Sequence, residues 1–239
     1  MTSTRPSEGG NGIGRIPGAY AMLLSSAAIF VLSGVLKGET RDAAVPLVTV
    51  FMKGAEGCAP RLLQEMQSEV DEIMRPAGIS VKWRHLDLSQ QSDPVPVLIV
   101  LTFLGACQSE GPCNGLDPVG PMGWTHVTDG AILPFCDILC DRVRAVLAPI
   151  IRCESGGDRV KLYGRALGRV AAHEFYHVLV NTKAHSRRGL AKPLLAASEL
   201  AQDACHFGAA ELARIRSAVA RRFPPGLVAE PVPVDAAGQ

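Results

Sequence analysis

Residues 173–185 read HEFYHVLVNTKAH and hold three of the chain's six histidines. The first two, His173 and His177, are four residues apart, with Glu174 directly after the first. On a helix that spacing puts both imidazoles on one face, one turn apart. The preceding residues, RVKLYGRALGRVAA, carry the helix upstream, and apolar residues surround its later part almost completely, so it reads as a buried helix ending near Val180. Asn181 and Thr182 are poor residues for a helix interior, and either ends the helix and turns the chain back. This buried helix is the element around which the rest of the fold has to be arranged.

Two neutral imidazoles one turn apart suit a single zinc ion, and a neighbouring carboxylate suits proton transfer to and from water. The pattern is H-E-x-x-H, with Glu174 placed as general base toward a metal-activated water. A catalytic zinc site takes three protein ligands, so one more is needed. His185, eight residues after His177, is the first candidate; Glu199 and His206 are the alternatives. Tyr176 and Phe175 read as packing residues, and His85 and His126 as ordinary strand or loop histidines. Gly164 and Gly168 read as sites of close helix packing, and Asp137 and Asp141 as residues at a helix start.

The remaining elements follow from periodicity. VPLVTVFM (45–52) and ISVKWRHL (79–86) read as strands, with RLLQEMQSEVDEIMRPAG between them as a helix stopped by Pro76 and Gly78. VPVLIVLTFLG (95–105) is a continuous apolar run, expected of a strand covered on both faces. MGWTHVTDGAILPF reads as a hairpin turning at Asp129-Gly130, followed by a helix from Asp137. ASELAQDACHFGAAELARIRSAVARRF reads as a second helical stretch. The order predicts an α+β fold, a mixed sheet with helices covering one face and a small C-terminal helical part.

Ile16 to Leu36 runs 21 residues without a charge, long enough for a bilayer span or a secretory h-region. Residues 1–40 therefore read as a signal peptide or N-terminal anchor, 41–223 as an exported domain, and 224–239 as a disordered tail. Seven cysteines suit an oxidising compartment, with Cys107–Cys113 as the favoured pair across the short turn between them. The absence of C-x2-C argues against a thiolate zinc knuckle. A net charge of +1 argues against a nucleic-acid partner.

With these motifs in view, the chain resembles the zincin metallopeptidases. Its strand order before the histidine helix is similar to that of the N-terminal subdomain of metzincins. GRVAAHEFYHVLVNTKAHSRRGLAKP resembles bacterial metallopeptidase-like proteins with H-E-x-x-H and a histidine eight residues later. The resemblance extends upstream to MRPAGISVKW, VLTFLGAC and GWTHVTDGAILPFCDILCDRV and covers about residues 45 to 206. It implies a zincin-like fold, zinc as cofactor and hydrolysis of a peptide or protein substrate, with a cleft along an edge strand near 122–133. The metzincin spacing would place glycine at 180 and histidine at 183, where this chain has Val180 and Lys183. No methionine follows Met122, and Ala191 stands where a methionine turn would be expected. Those departures motivate an alternative, a catalytically weak or inactive zinc-binding module on the same fold.

Overall fold

Five strands form one sheet in the order β2-β1-β3-β5-β4, and helices follow on from its strands. The computed structural model describes residues 45–86, 95–109 and 117–222. The apolar segment 16–36, the C-terminal residues 224–239 and Cys113 lie outside the described residues. Among the described residues no helix is long and apolar enough to cross a membrane.

Strand β1 (Leu47–Lys53) leads into α1 (Pro60–Met74), which opens on a proline at its first turn. Its buried residues Leu62, Met66, Val70 and Ile73 recur every three or four positions and give the helix a single apolar face. A 3-10 turn, Arg75–Ala77, and the left-handed Gly78 then stop it. Strands β2 (Ser80–His85) and β3 (Val97–Leu104) both pair with β1 in parallel, and β5 (Ala131–Leu139) pairs in parallel with β3. Strand β4 (Gly123–Thr128) runs antiparallel to β5 at the sheet's edge. Asp129 and Gly130 join them with φ of 50° and 81°, the paired positive values a tight hairpin turn needs. The fold is thus mixed α and β around a mixed five-stranded sheet, consistent with α+β.

The face carrying Val50, Ile99 and Leu101 is fully buried beneath α1 and α3 (Gly156–Val180). Trp83 of β2 marks the junction, its ring 6.2 Å from Phe175 of α3 and its indole N–H donating to Asp71 of α1. Strand β3 departs from expectation: Val97, Ile99, Leu101 and Phe103 are buried, while the alternating Leu98, Val100 and Thr102 are only partly covered. On β5 the neighbouring Phe135 stays 42% exposed.

Gly164 and Gly168 let α3 lie directly on α1. A Cβ at Gly164 would fall 2.5 Å from Glu65 Cβ, and one at Gly168 would fall 2.7 Å from the Met66 carbonyl oxygen. Beside this crossing sits a charge pair. Arg169 is fully buried, donates to Glu69 Oε1 at 2.7 Å, and also reaches the Glu199 carbonyl at 2.8 Å.

Three expectations need correction. The helix expected from Asp137 begins later, at α2 (Cys140–Ile151), because residues 135–139 pair with β3 and residues 136–138 also pair with β4. Asp137 is therefore a strand residue whose carboxylate takes His126 at 2.8 Å, while Asp141 does lie in the first turn of α2. The C-terminal helical stretch is broken into α4 (Ala197–Ala201) and α5 (Ala209–Arg222). Carbonyls of Ala201 and Gln202 turn out to Arg165, at 3.0 and 3.1 Å, instead of continuing the helix. Finally, Cys107 is bonded to Cys140 and not to Cys113. The pairing of Leu104 with Leu139 brings the ends of β3 and β5 together, leaving the two Cα atoms 4.9 Å apart.

Candidate metal centre

Helix α3 ends as its sequence suggests. Asn181 takes the left-handed conformation at φ 55° and ψ 55°, which asparagine tolerates better than most residues. The Thr182 N–H then closes the cap on the His177 carbonyl at 3.2 Å. This cap reverses the chain within a few residues of the motif and starts an irregular loop that runs back past both histidines.

That loop holds the histidine rings. His177 Nδ1 lies 2.7 Å from the Thr182 carbonyl oxygen, and His173 Nδ1 lies 2.8 Å from that of Leu190. A carbonyl oxygen can only accept, so each Nδ1 carries the proton and each Nε2 presents a lone pair. The two Nε2 atoms face each other at 3.1 Å. Two lone pairs at that separation repel unless a cation or a proton lies against them. Burial, the main cause, pulls His173 down to about 4 and His177 below its ordinary value, which works against the proton. A metal ion suits the arrangement better, and the paired Nδ1–H···O=C bonds are the usual outer support of histidine ligands.

His185 comes from the same loop. Its ring stacks 5.3 Å from His173 and stands edge-on 4.8 Å from His177. One nitrogen from each of the three histidines falls in a group whose members all lie within 4.8 Å of one another. This cluster could hold a metal ion. The other two candidates sit elsewhere among the described residues. Glu199 is committed to the Lys192 ammonium and to the Ala196 N–H at 2.9 Å, contacts that hold its carboxyl below the usual range. His206 serves through its backbone, accepting the Leu190 N–H at 3.1 Å.

The support beneath the loop is close-fitting. Gly189 has φ of 69°, and a Cβ there would meet the His206 carbonyl oxygen at 2.8 Å. Leu190 and Ala191 are fully buried at the turn that holds His173. Tyr176 is core, packed between His177 and Phe207 with its hydroxyl accepting from Arg214.

Glu174 is 6% exposed and lines a cleft of about 330 Å³ together with the three histidines. Burial pushes its carboxyl up to about 7, against the opposing effect of a hydrogen bond from Thr125. A carboxyl near neutrality beside a group of imidazoles suits a proton acceptor working at ordinary pH. Edge strand β4 supplies the facing wall through Gly123, Trp124 and Val127, and Lys183, Leu194 and Leu195 line the cleft as well. Gly123 permits the approach, since a Cβ there would lie 2.9 Å from Val170 Cγ1 and 3.4 Å from Glu174 Cγ. Neither Gly123 nor Thr125 stands out in the sequence; both become visible only when β4 is laid against α3. Against family models, curated proteins and solved structures alike, the chain finds no match.

Proposed function

We propose that this chain is a zinc-dependent peptidase with a zincin-like fold, in which His173, His177 and His185 hold Zn2+ and Glu174 is the general base. The observation that carries the reading is the pair of unprotonated Nε2 atoms converging at 3.1 Å, with both Nδ1 protons already given to backbone carbonyls. Tetrahedral zinc with Zn–N bonds of 2.0–2.1 Å separates its nitrogen ligands by about 3.3 Å, so two of the positions are close to ready. Three nitrogen ligands leave a fourth position open, the pattern of a catalytic and not a structural site.

Bound zinc supplies a Lewis acid that polarises a carbonyl and lowers the pKa of water toward 7. The chain's own residues do the rest. Glu174 accepts the proton of the attacking water and returns it to the leaving amine. Strand β4, which has one edge unpaired among the described residues, offers backbone groups to an extended peptide, which strand addition would lay along the cleft. The 21-residue apolar segment at 16–36 supports export or membrane anchoring of this activity.

Glu174→Gln tests the reading. The variant should keep its zinc, measured by atomic absorption, and lose about 10²- to 10⁴-fold in hydrolysis of labelled casein. Full zinc binding with no hydrolysis in the unaltered chain would instead leave a zinc-binding module, and an equally active variant would remove Glu174 from the chemistry. His185→Ala should weaken zinc binding, whereas His206→Ala should leave it unchanged.

A further inference from the structure

A glutamate on a helix has three side-chain torsions to fix before its carboxylate aims anywhere. In Glu174 one oxygen is already held. The Thr125 hydroxyl donates to Oε2 at 2.8 Å, and the same hydroxyl lies 3.2 Å from the Glu174 carbonyl oxygen. Thr125 comes from β4, 49 residues upstream, so this bond joins the edge strand to the helix.

The hydroxyl is itself constrained. Cys136 Sγ lies 3.6 Å from Thr125 Oγ1, fully buried, and burial raises the thiol well above its ordinary pKa. Cys136 therefore stays protonated and can donate to the threonine oxygen, leaving the single hydroxyl proton for Glu174. The register of β4 against β5 shifts between Thr125 and Val127, an irregularity directly beside Thr125 in which His126 stands against residues 133–135 of β5. At this irregularity His126 reaches Asp137 at 2.8 Å and anchors the strand there.

We propose that Thr125 is a positioning residue for Glu174, fixing one carboxylate oxygen so that the other faces the cleft, and that this makes the aim of the base depend on β4. The proposal rests on Glu174 being the base. It implies that a peptide docking on β4 and the group that activates water are connected through one hydrogen bond.

The test compares Thr125→Val, Thr125→Ser and Glu174→Gln in the zinc-loaded chain, with acetohydroxamic acid as probe. A hydroxamate chelates zinc through two oxygens and surrenders a proton to an adjacent carboxylate, so its affinity reports the aim of Glu174 without any turnover. Thr125→Val should retain zinc yet bind the probe about tenfold or more weakly, the effect of losing a hydrogen bond to a charged group. Thr125→Ser, which keeps the hydroxyl, should stay within about threefold of the unaltered chain. If Thr125→Val does not fold, Thr125→Ala takes its place. Probe affinity unchanged in the valine variant but weakened in Glu174→Gln would overturn the positioning role while sparing the base. A serine variant as impaired as the valine one would also overturn it, since packing would then be the cause. Unchanged affinity in Glu174→Gln as well would remove the base and the positioning role together.

Discussion

Arg169 is a fully buried guanidinium, and its surroundings explain why it is tolerated. Glu69 neutralises it at 2.7 Å, and the Glu199 and Asp203 carbonyls take further donors at 2.8 and 3.5 Å. Removing the arginine leaves the Glu69 carboxylate, only 12% exposed, with Arg165 at 3.8 Å as a weaker partner. Arg169→Met should therefore destabilise the chain by about 3–5 kcal/mol in urea unfolding, and Glu69→Met in the same chain should restore part of that loss. Neither residue announces itself in the sequence, because the two are 100 positions apart and an arginine in GRALGRVAAHE looks like the wet side of a helix. By contrast His173, Glu174 and His177 are legible because their chemistry depends on spacing within one helical turn. His185 lies between these cases: the chain reversal at Asn181 can be anticipated from residue type, but the return of the loop to both imidazoles cannot.

At the scale of elements, the crossing of α3 over α1 depends on two missing side chains. Gly168→Ala gains up to about 1 kcal/mol of helix propensity but drives a methyl into the Met66 carbonyl, 2.7 Å away. The three close contacts at this position are to the Met66 backbone and to Glu69 near its base, so the helices must move apart, and a net loss of about 1–3 kcal/mol is expected. Gly157→Ala, at the start of the same helix, meets only the end of the Arg61 side chain at 3.8 Å and should be neutral or stabilising by a few tenths of a kcal/mol. Paired thermal melts of the two variants decide the matter. The hairpin at Asp129-Gly130 and the end of α1 at Gly78 are readable from local turn chemistry. The extension of β5 through Leu139 is not, because its pairing with β3 is settled by partners more than thirty residues away, and it overrides the helical pattern that begins at Asp137.

At the scale of the whole molecule, a covalent link between distant elements acts on stability. The Cys107–Cys140 disulfide closes a loop over a separation of 33 residues, for which loss of unfolded-state freedom contributes about 3–4 kcal/mol. Replacing both cysteines by serine should lower denaturant stability by that order under oxidising conditions. The expected Cys107–Cys113 pairing is local in sequence, whereas the observed pairing follows from strand order, which sequence spacing does not reveal. The proposed metal site would add a second fastening. Zinc at a hundred times its dissociation constant should stabilise the folded chain by about 2.7 kcal/mol, raising the melting temperature by about 5–10 °C. The rise should shrink in His185→Ala at the same zinc concentration, and scanning calorimetry with and without a chelator measures both.

The loop leaving α3 gives the imidazoles two carbonyls, from Thr182 and Leu190, and one further ring, from His185. Under the proposed zinc reading, metal capture and the ordering of this segment are coupled. Between those anchors Lys183, Arg187 and Arg188 are all exposed, each a point where trypsin cuts. With the ion in place, the stretch should resist digestion. Stripped of it, the same stretch should be nicked first, splitting the chain just beyond its histidine helix and leaving a fragment pattern that reports occupancy with no substrate at all.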